Sequence, residues 1–144
     1  MDELEIFNAQ TQGYIANGLF QIAVIIGVFI VFRAARFARQ NNIIAKGLVS
    51  LFSLIIGFFS LSVGSLRPQL EQLTALRLAH AQAAGTTLTA NAQDYVAQYG
   101  VSAGDVLPAQ QNLFGDLGTT AFTLIFLLIA LGTIWLPNTD FSEK

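Results

Sequence analysis

Few side chains in this sequence are equipped for chemistry, and their spacing argues against most of it. His80 is the only histidine and there is no cysteine. Thiolate sites and disulfides are excluded, and one chain cannot supply two histidines to a haem. His80 sits in the Ala-rich stretch "LRLAHAQAA" and reads as a surface residue. Asp94, Asp105 and Asp116 recur at steps of eleven. A calcium loop needs its oxygen ligands two residues apart, so these three read as helix caps and solvated loop residues. Ser50, Ser53 and Ser60 have no base beside them to activate a hydroxyl. No Walker motif, dinucleotide fingerprint, HExxH or GxSxG occurs. The expectation is a non-enzyme with no catalytic residue, metal or cofactor.

What the sequence does carry is a packing pattern. The stretch "SLFSLIIGFFSLSVGS", residues 50–65, has no charge. Ser50, Ser53, Gly57, Ser60 and Gly64 fall at steps of three, four, three and four, on one face of a helix. Lipid tails are as apolar as Leu, so helices in a bilayer associate through close packing and interhelical hydrogen bonds, and small residues let backbones approach. The period near 3.5 favours a left-handed crossing. These five residues are the expected helix-packing face. Phe52, Ile56, Phe59 and Val63 lie opposite, for acyl chains or bulky partners. The seam can receive another span of the same chain or a second chain.

A second line, Gly13, Asn17 and Gln21, is spaced by four. Asn17 and Gln21 are expected to make interhelical hydrogen bonds, at ~0.6–2 kcal/mol each. A hydrophilic vestibule is the alternative, but intramembrane function is usually marked by ionisable groups. Thr119, Thr120, Thr123 and Thr133 can bond the backbone of their own helix.

Three stretches must position these residues. A span needs about 20 mainly apolar residues. Tyr14 to Phe32, Gly47 to Leu66 and Leu117 to Leu136 qualify, and none contains Asp, Glu, Lys, Arg or His. Over the whole chain 53% of residues are hydrophobic and 11% charged, against about 25% charged in a soluble domain. The acidic start, with Asp2, Glu3 and Glu5, lacks the positive region of a cleavable signal. The first span is therefore expected to stay in place. Tyr14 and Trp135 lie near span ends, where aromatic belts form.

Arg33, Arg36, Arg39 and Lys46 are four of the seven basic residues and lie together. They place residues 33–46 in the cytoplasm by the positive-inside rule. Their functional reading is contact with lipid headgroups or an acidic partner. No basic stripe of the kind that reads nucleic-acid sequence is present. Residues 67–116 are too long for a turn and should be structured. Leu66, Leu70, Leu73 and Leu76 form a ridge at helical spacing, with Pro68 either in a first turn or kinking a helix that continues from the second span. Gly85 is a natural stop. Asn91 with Asp94 opens a short helix closed by Gly100, Ser102 with Asp105 is a further cap pair, and Pro108 suits another first turn.

The expected fold is all-α: an integral membrane protein with three transmembrane helices and a helical extramembrane segment between the second and third. Residues 1–13 form an outer N-terminal segment. A transmembrane hairpin covers 14–66, an outer helical segment 67–116, the third span 117–136 and a cytoplasmic tail 137–144. The expected location is a bacterial-type inner membrane or one derived from it. The expected function is structural: an accessory subunit of a membrane complex, or a membrane protein of a lipid-containing virion, with the bilayer, other membrane subunits or copies of itself as partners. The order of spans resembles the topology of one class of phage holin, which makes a self-assembling pore the alternative. The long outer segment and weakly charged tail depart from that pattern. A subunit holding a cofactor with ligands from other chains ranks last.

Overall fold

A computed structural model describes residues 2–106, 112–114 and 116–136. The chain is all-helical: α1 (Glu3–Arg39), α2 (Ile43–Ala83), α3 (Ala90–Tyr99) and α4 (Leu117–Trp135). There is no strand among the described residues. α1, α2 and α4 are long and apolar enough to cross a membrane, and α3 lies between the second and third of them. The expected helix start at Pro108 and the tail 137–144 lie outside the described residues.

Local chemistry sets the helix ends. Asp2 opens α1 with a reciprocal box: its Oδ1 accepts from the Glu5 N–H at 2.8 Å, and its own N–H donates to Glu5 Oε2 at 3.1 Å. Asn42 Oδ1 accepts from the Ala45 N–H at 3.0 Å and starts α2. Gly85, at φ +94, ends α2. The Thr86 N–H reaches the Ala81 carbonyl and the Gly85 N–H reaches the Gln82 carbonyl, so two orphan carbonyls are satisfied. Gly100 closes α3 in the left-handed region, and Asp116 caps α4 through the Thr119 N–H at 2.8 Å.

The α3 cap and the Ser102–Asp105 cap pair need correction, and other local expectations are refined. α3 is capped by Thr89, whose side chain accepts from the Ala92 N–H, while Asn91 lies inside the helix. Ser102 and Asp105 form a turn: the Ser102 N–H donates to Asp105 Oδ2, and the Asp105 N–H to the Ser102 carbonyl. The stretch 33–46 is helical except for 40–42, so the basic residues sit on helix ends rather than in a loose loop. Residues 3–13 are helical as well. Pro68 lies inside α2, the second of its two expected places. It has no N–H for the Gly64 carbonyl one turn earlier, and the helix continues past it.

The chain divides into two compact units. One comprises Met1–Phe20 and Ser62–Leu113, the other Gln21–Leu61 and Phe114–Lys144. In the first, Ile6, Leu78, Ala81, Leu88 and Ala92 form a buried cluster, with Phe7, Tyr95 and Val96 packed against it. Of the expected Leu ridge only Leu76 is buried, and the core side of this part of α2 also includes Ala75, Leu78 and Ala81. Gly13 admits Leu70, since a Cβ there would lie 2.8 Å from Leu70 Cδ2.

In the second unit α2 and α4 run antiparallel. Ser50 pairs with Trp135, Gly57 with Leu127 and Ser60 with Thr123. Val31, Phe126 and Ala130 form its buried cluster, and the Phe32 and Phe126 rings meet edge-on at 5.7 Å. The flank of α2 that carries Phe52, Ile56, Phe59 and Val63 is divided between protein and surface. Ile56 is half-buried against Gly27, where a Cβ would come within 2.9 Å of Ile56 Cδ1. In the other unit Val63 is buried as well, while Phe52 and Phe59 remain exposed.

A Cβ on Gly57 would meet both Leu127 δ carbons at 3.2 Å. Gly57→Leu should therefore force α2 and α4 apart and cost about 1–3 kcal/mol. Gly47, with nothing within 4 Å, is the control. Thermal unfolding in detergent should show the loss for Gly57→Leu and not for Gly47→Leu; equal behaviour would count against the seam.

Candidate functional site

The seam residues are placed as follows. Ser53 is fully buried and its Oγ donates to the Val49 carbonyl at 2.7 Å. Ser60 is buried and shares a 3.0 Å hydrogen bond with the Thr123 hydroxyl. Ser50 accepts from Trp135 Nε1 at 2.9 Å. Gly57 is buried against Leu127, and Gly64 is half-buried. α4 of the same chain thus occupies the seam from Ser50 to Ser60. Thr133 bonds the Ile129 carbonyl of its own helix, as does Thr120 the Asp116 carbonyl.

Asn17 and Gln21 differ in burial. Asn17 is buried and its Nδ2 donates to the Val63 carbonyl of α2 at 3.2 Å. Gln21 is exposed. Arg33 and Arg36 are exposed on the last turns of α1, Arg39 is half-buried, and Lys46 Nζ lies 5.8 Å from the centre of the Trp135 ring. Between the arginines, Ala35 and Ala38 are fully buried. The basic stretch is therefore part of a packed helix.

The densest polar constellation is one the sequence reading passed over. It lies in the first unit and is centred on Glu71 of α2. Tyr99 of α3 donates to Glu71 Oε2 at 2.7 Å. Tyr14 of α1 and Arg67 Nε donate to Oε1 at 3.3 and 3.2 Å. The Tyr95 hydroxyl donates to the Glu71 backbone carbonyl at 3.4 Å. Gln10 Nε2 donates to the hydroxyls of Tyr95 at 2.8 Å and Tyr14 at 3.0 Å. All three tyrosines of the chain thus converge on one residue, and the Tyr95 and Tyr99 rings stack tilted at 5.0 Å. Nearby, the Glu3 carboxylate accepts from both the N–H and the hydroxyl of Thr89, at 2.8 and 2.7 Å, tying the start of α1 to the α3 cap.

The signal was present as three pairs four residues apart: Gln10–Tyr14, Arg67–Glu71 and Tyr95–Tyr99. Each pair lies on one face of its helix, but nothing local says that the three faces meet.

The electrostatics make this cluster a clamp. Burial works to raise the Glu71 carboxyl, but hydrogen bonds from Tyr99, Arg67 and Tyr14 outweigh it and hold the group below the ordinary carboxylate range. Burial, with the hydrogen bond to the Glu71 carboxylate and its charge, pushes the Tyr99 phenol well above its ordinary value. Acceptor stays ionised and donor stays protonated, which suits holding rather than proton transfer. The links are unequal. Arg67 is 73% exposed, and such a pair along one helix contributes roughly 0.3–0.5 kcal/mol. A phenol on a half-buried carboxylate contributes about 1.5–3 kcal/mol, so the tyrosines dominate.

His80 is exposed, and no group of three His, Asp or Glu side chains that could hold a metal ion occurs among the described residues.

Because the folded Glu71 pKa is lowered, its contribution is present above the unfolded carboxylate pKa and is lost as pH falls through the folded one. Melting temperature followed from pH 7 to pH 3 should fall more steeply for the wild type than for Glu71→Gln. Tyr99→Phe should cost about 1.5–3 kcal/mol at neutral pH. Parallel pH curves for wild type and Glu71→Gln would show that the carboxylate holds nothing.

No protein-family model, curated protein or solved structure matches the chain.

Proposed function

We propose that this chain is a non-catalytic structural subunit of a larger membrane assembly. One observation carries the reading: among the described residues no buried side-chain nitrogen or oxygen lacks a hydrogen-bond partner. Sites that bind substrate or pass ions keep polar groups aimed into a cavity or pathway. Here the buried polar groups of the spans, Asn17, Ser53, Ser60 and Thr123, bond within the chain. The clamp at Glu71 likewise holds α3 to α1 and α2.

The outward surface supports the same reading. Phe29, Phe58 and Leu128 are 66%, 62% and 74% exposed, which leaves each span an apolar face for lipid or a neighbouring subunit. The basic segment 33–46 favours a cytoplasmic position, with the N-terminus and the segment between the second and third spans outside. A bacterial-type inner membrane, or a virion membrane derived from one, fits that arrangement. A holin-like pore fits less well, because Ser60 and Thr123, which could line water, face each other.

Gentle extraction of the tagged chain from its native membrane, followed by native mass spectrometry, tests the proposal. Other proteins in fixed ratio are the expected result, and their identity would name the assembly. A homo-oligomer alone that conducts ions in planar bilayers would replace this reading with the pore.

A further inference from the structure

We infer that the basic end of the second unit is a binding surface for the phosphate headgroups of anionic phospholipids in the chain's own bilayer. The case rests on where four cations lie relative to a membrane-level marker. α4 has 19 residues, about 28 Å of helix, which matches a hydrocarbon core about 30 Å thick. Asp116 caps one end and Trp135 stands at the other. The Trp135 ring is pinned there, with Nε1–H on Ser50 Oγ and Lys46 over its face. An indole that is apolar on one side and hydrogen-bonded on the other marks the interface.

Helix register then places the cations. Gly27 meets Ile56 across α1 and α2. Counting outward equally on both antiparallel helices brings Arg33 level with Ser50, and so with Trp135. Lys46, Arg36 and Arg39 lie about 6, 4.5 and 9 Å further out at 1.5 Å per residue. The headgroup layer is roughly 5–8 Å deep on each side. All four cations therefore fall in or at the edge of that layer. A nucleic acid or acidic protein beyond the headgroups would meet Arg39 alone.

Charge points the same way. Residues 21–61 contain no carboxylate, and Asp116 is at the opposite end of α4. The sequence after Leu136 adds Asp140, Glu143 and Lys144, one net negative charge against four positive. None of the four cations forms an ion pair among the described residues. Ala35 and Ala38, fully buried, fix the backbone that presents the arginines. Each cation at an anionic surface adds to the attraction for its headgroups.

The test is lipid retention. The full chain is reconstituted with equal phosphatidylglycerol and phosphatidylcholine, then extracted gently and its bound lipid counted by native mass spectrometry. The wild type should retain phosphatidylglycerol with roughly tenfold preference. Arg36→Gln/Arg39→Gln/Lys46→Gln should lose it, while Arg77→Gln, an exposed cation of the other unit, should keep it. No preference in the wild type would overturn the inference. So would a preference that survives the triple substitution or falls equally in Arg77→Gln. Copurified nucleic acid or acidic protein in place of the lipid would also overturn it.

Discussion

A hydroxyl or amide buried in hydrocarbon has no water to bond, and most of this architecture follows from that constraint. Asn17 and Ser60 each sit in stretches apolar enough to cross a membrane, and each needs a partner close by. Asn17 takes the Val63 carbonyl and Ser60 takes the Thr123 hydroxyl. Those bonds require helix backbones to come close. Gly57 against Leu127, with Ala130 and Ser53 fully buried, supplies the room. Interhelical hydrogen bonds contribute only ~0.6–2 kcal/mol each, so the small-residue packing must do the larger share. The polar pairs then fix register: slipping α4 by one residue against α2 would separate Ser50 from Trp135 and Ser60 from Thr123 together.

The first unit meets a different constraint. α3 is a helix of 10 residues, too short to persist alone in water. It is held by an apolar cluster around Leu78 and Ala92 and by polar contacts at its two ends. Thr89 at its start is tied to Glu3, and Tyr99 at its end to Glu71. Both acceptors are carboxylates, so the donors meet charge, and the hydrogen bonds are stronger than neutral ones.

How much of this was legible follows from range. The three spans were, because an uninterrupted apolar stretch of about 20 residues has few other uses. Gly85, Gly100 and Asp116 were also readable as helix ends, since caps are local chemistry. The seam was readable as a packing face, but small residues specify closeness and not the partner, so α4 could not be named. Ile56 and Val63 were open to acyl chains or bulky partners, and only the fold shows that they meet protein. Asn91 is a good N-cap residue and so was the readable cap, but only the fold places Glu3 beside Thr89. The Glu71 clamp was hidden for the same reason: Tyr14, Glu71 and Tyr99 are far apart in sequence and meet only in three dimensions.

The central claim is that the chain's small-residue seam is filled by its own fourth helix. The sequence has no cysteine, so a single engineered pair reports cleanly. Ser60 and Thr123 hydroxyls lie 3.0 Å apart, within reach of a disulfide when both are replaced. Ser60→Cys/Thr123→Cys should be oxidised in native membranes and run on a denaturing gel as an internally crosslinked monomer, distinguishable by its shift on reduction. Crosslinked dimers in the double variant, with no internal product, would mean that the seam joins two chains and would contradict the account.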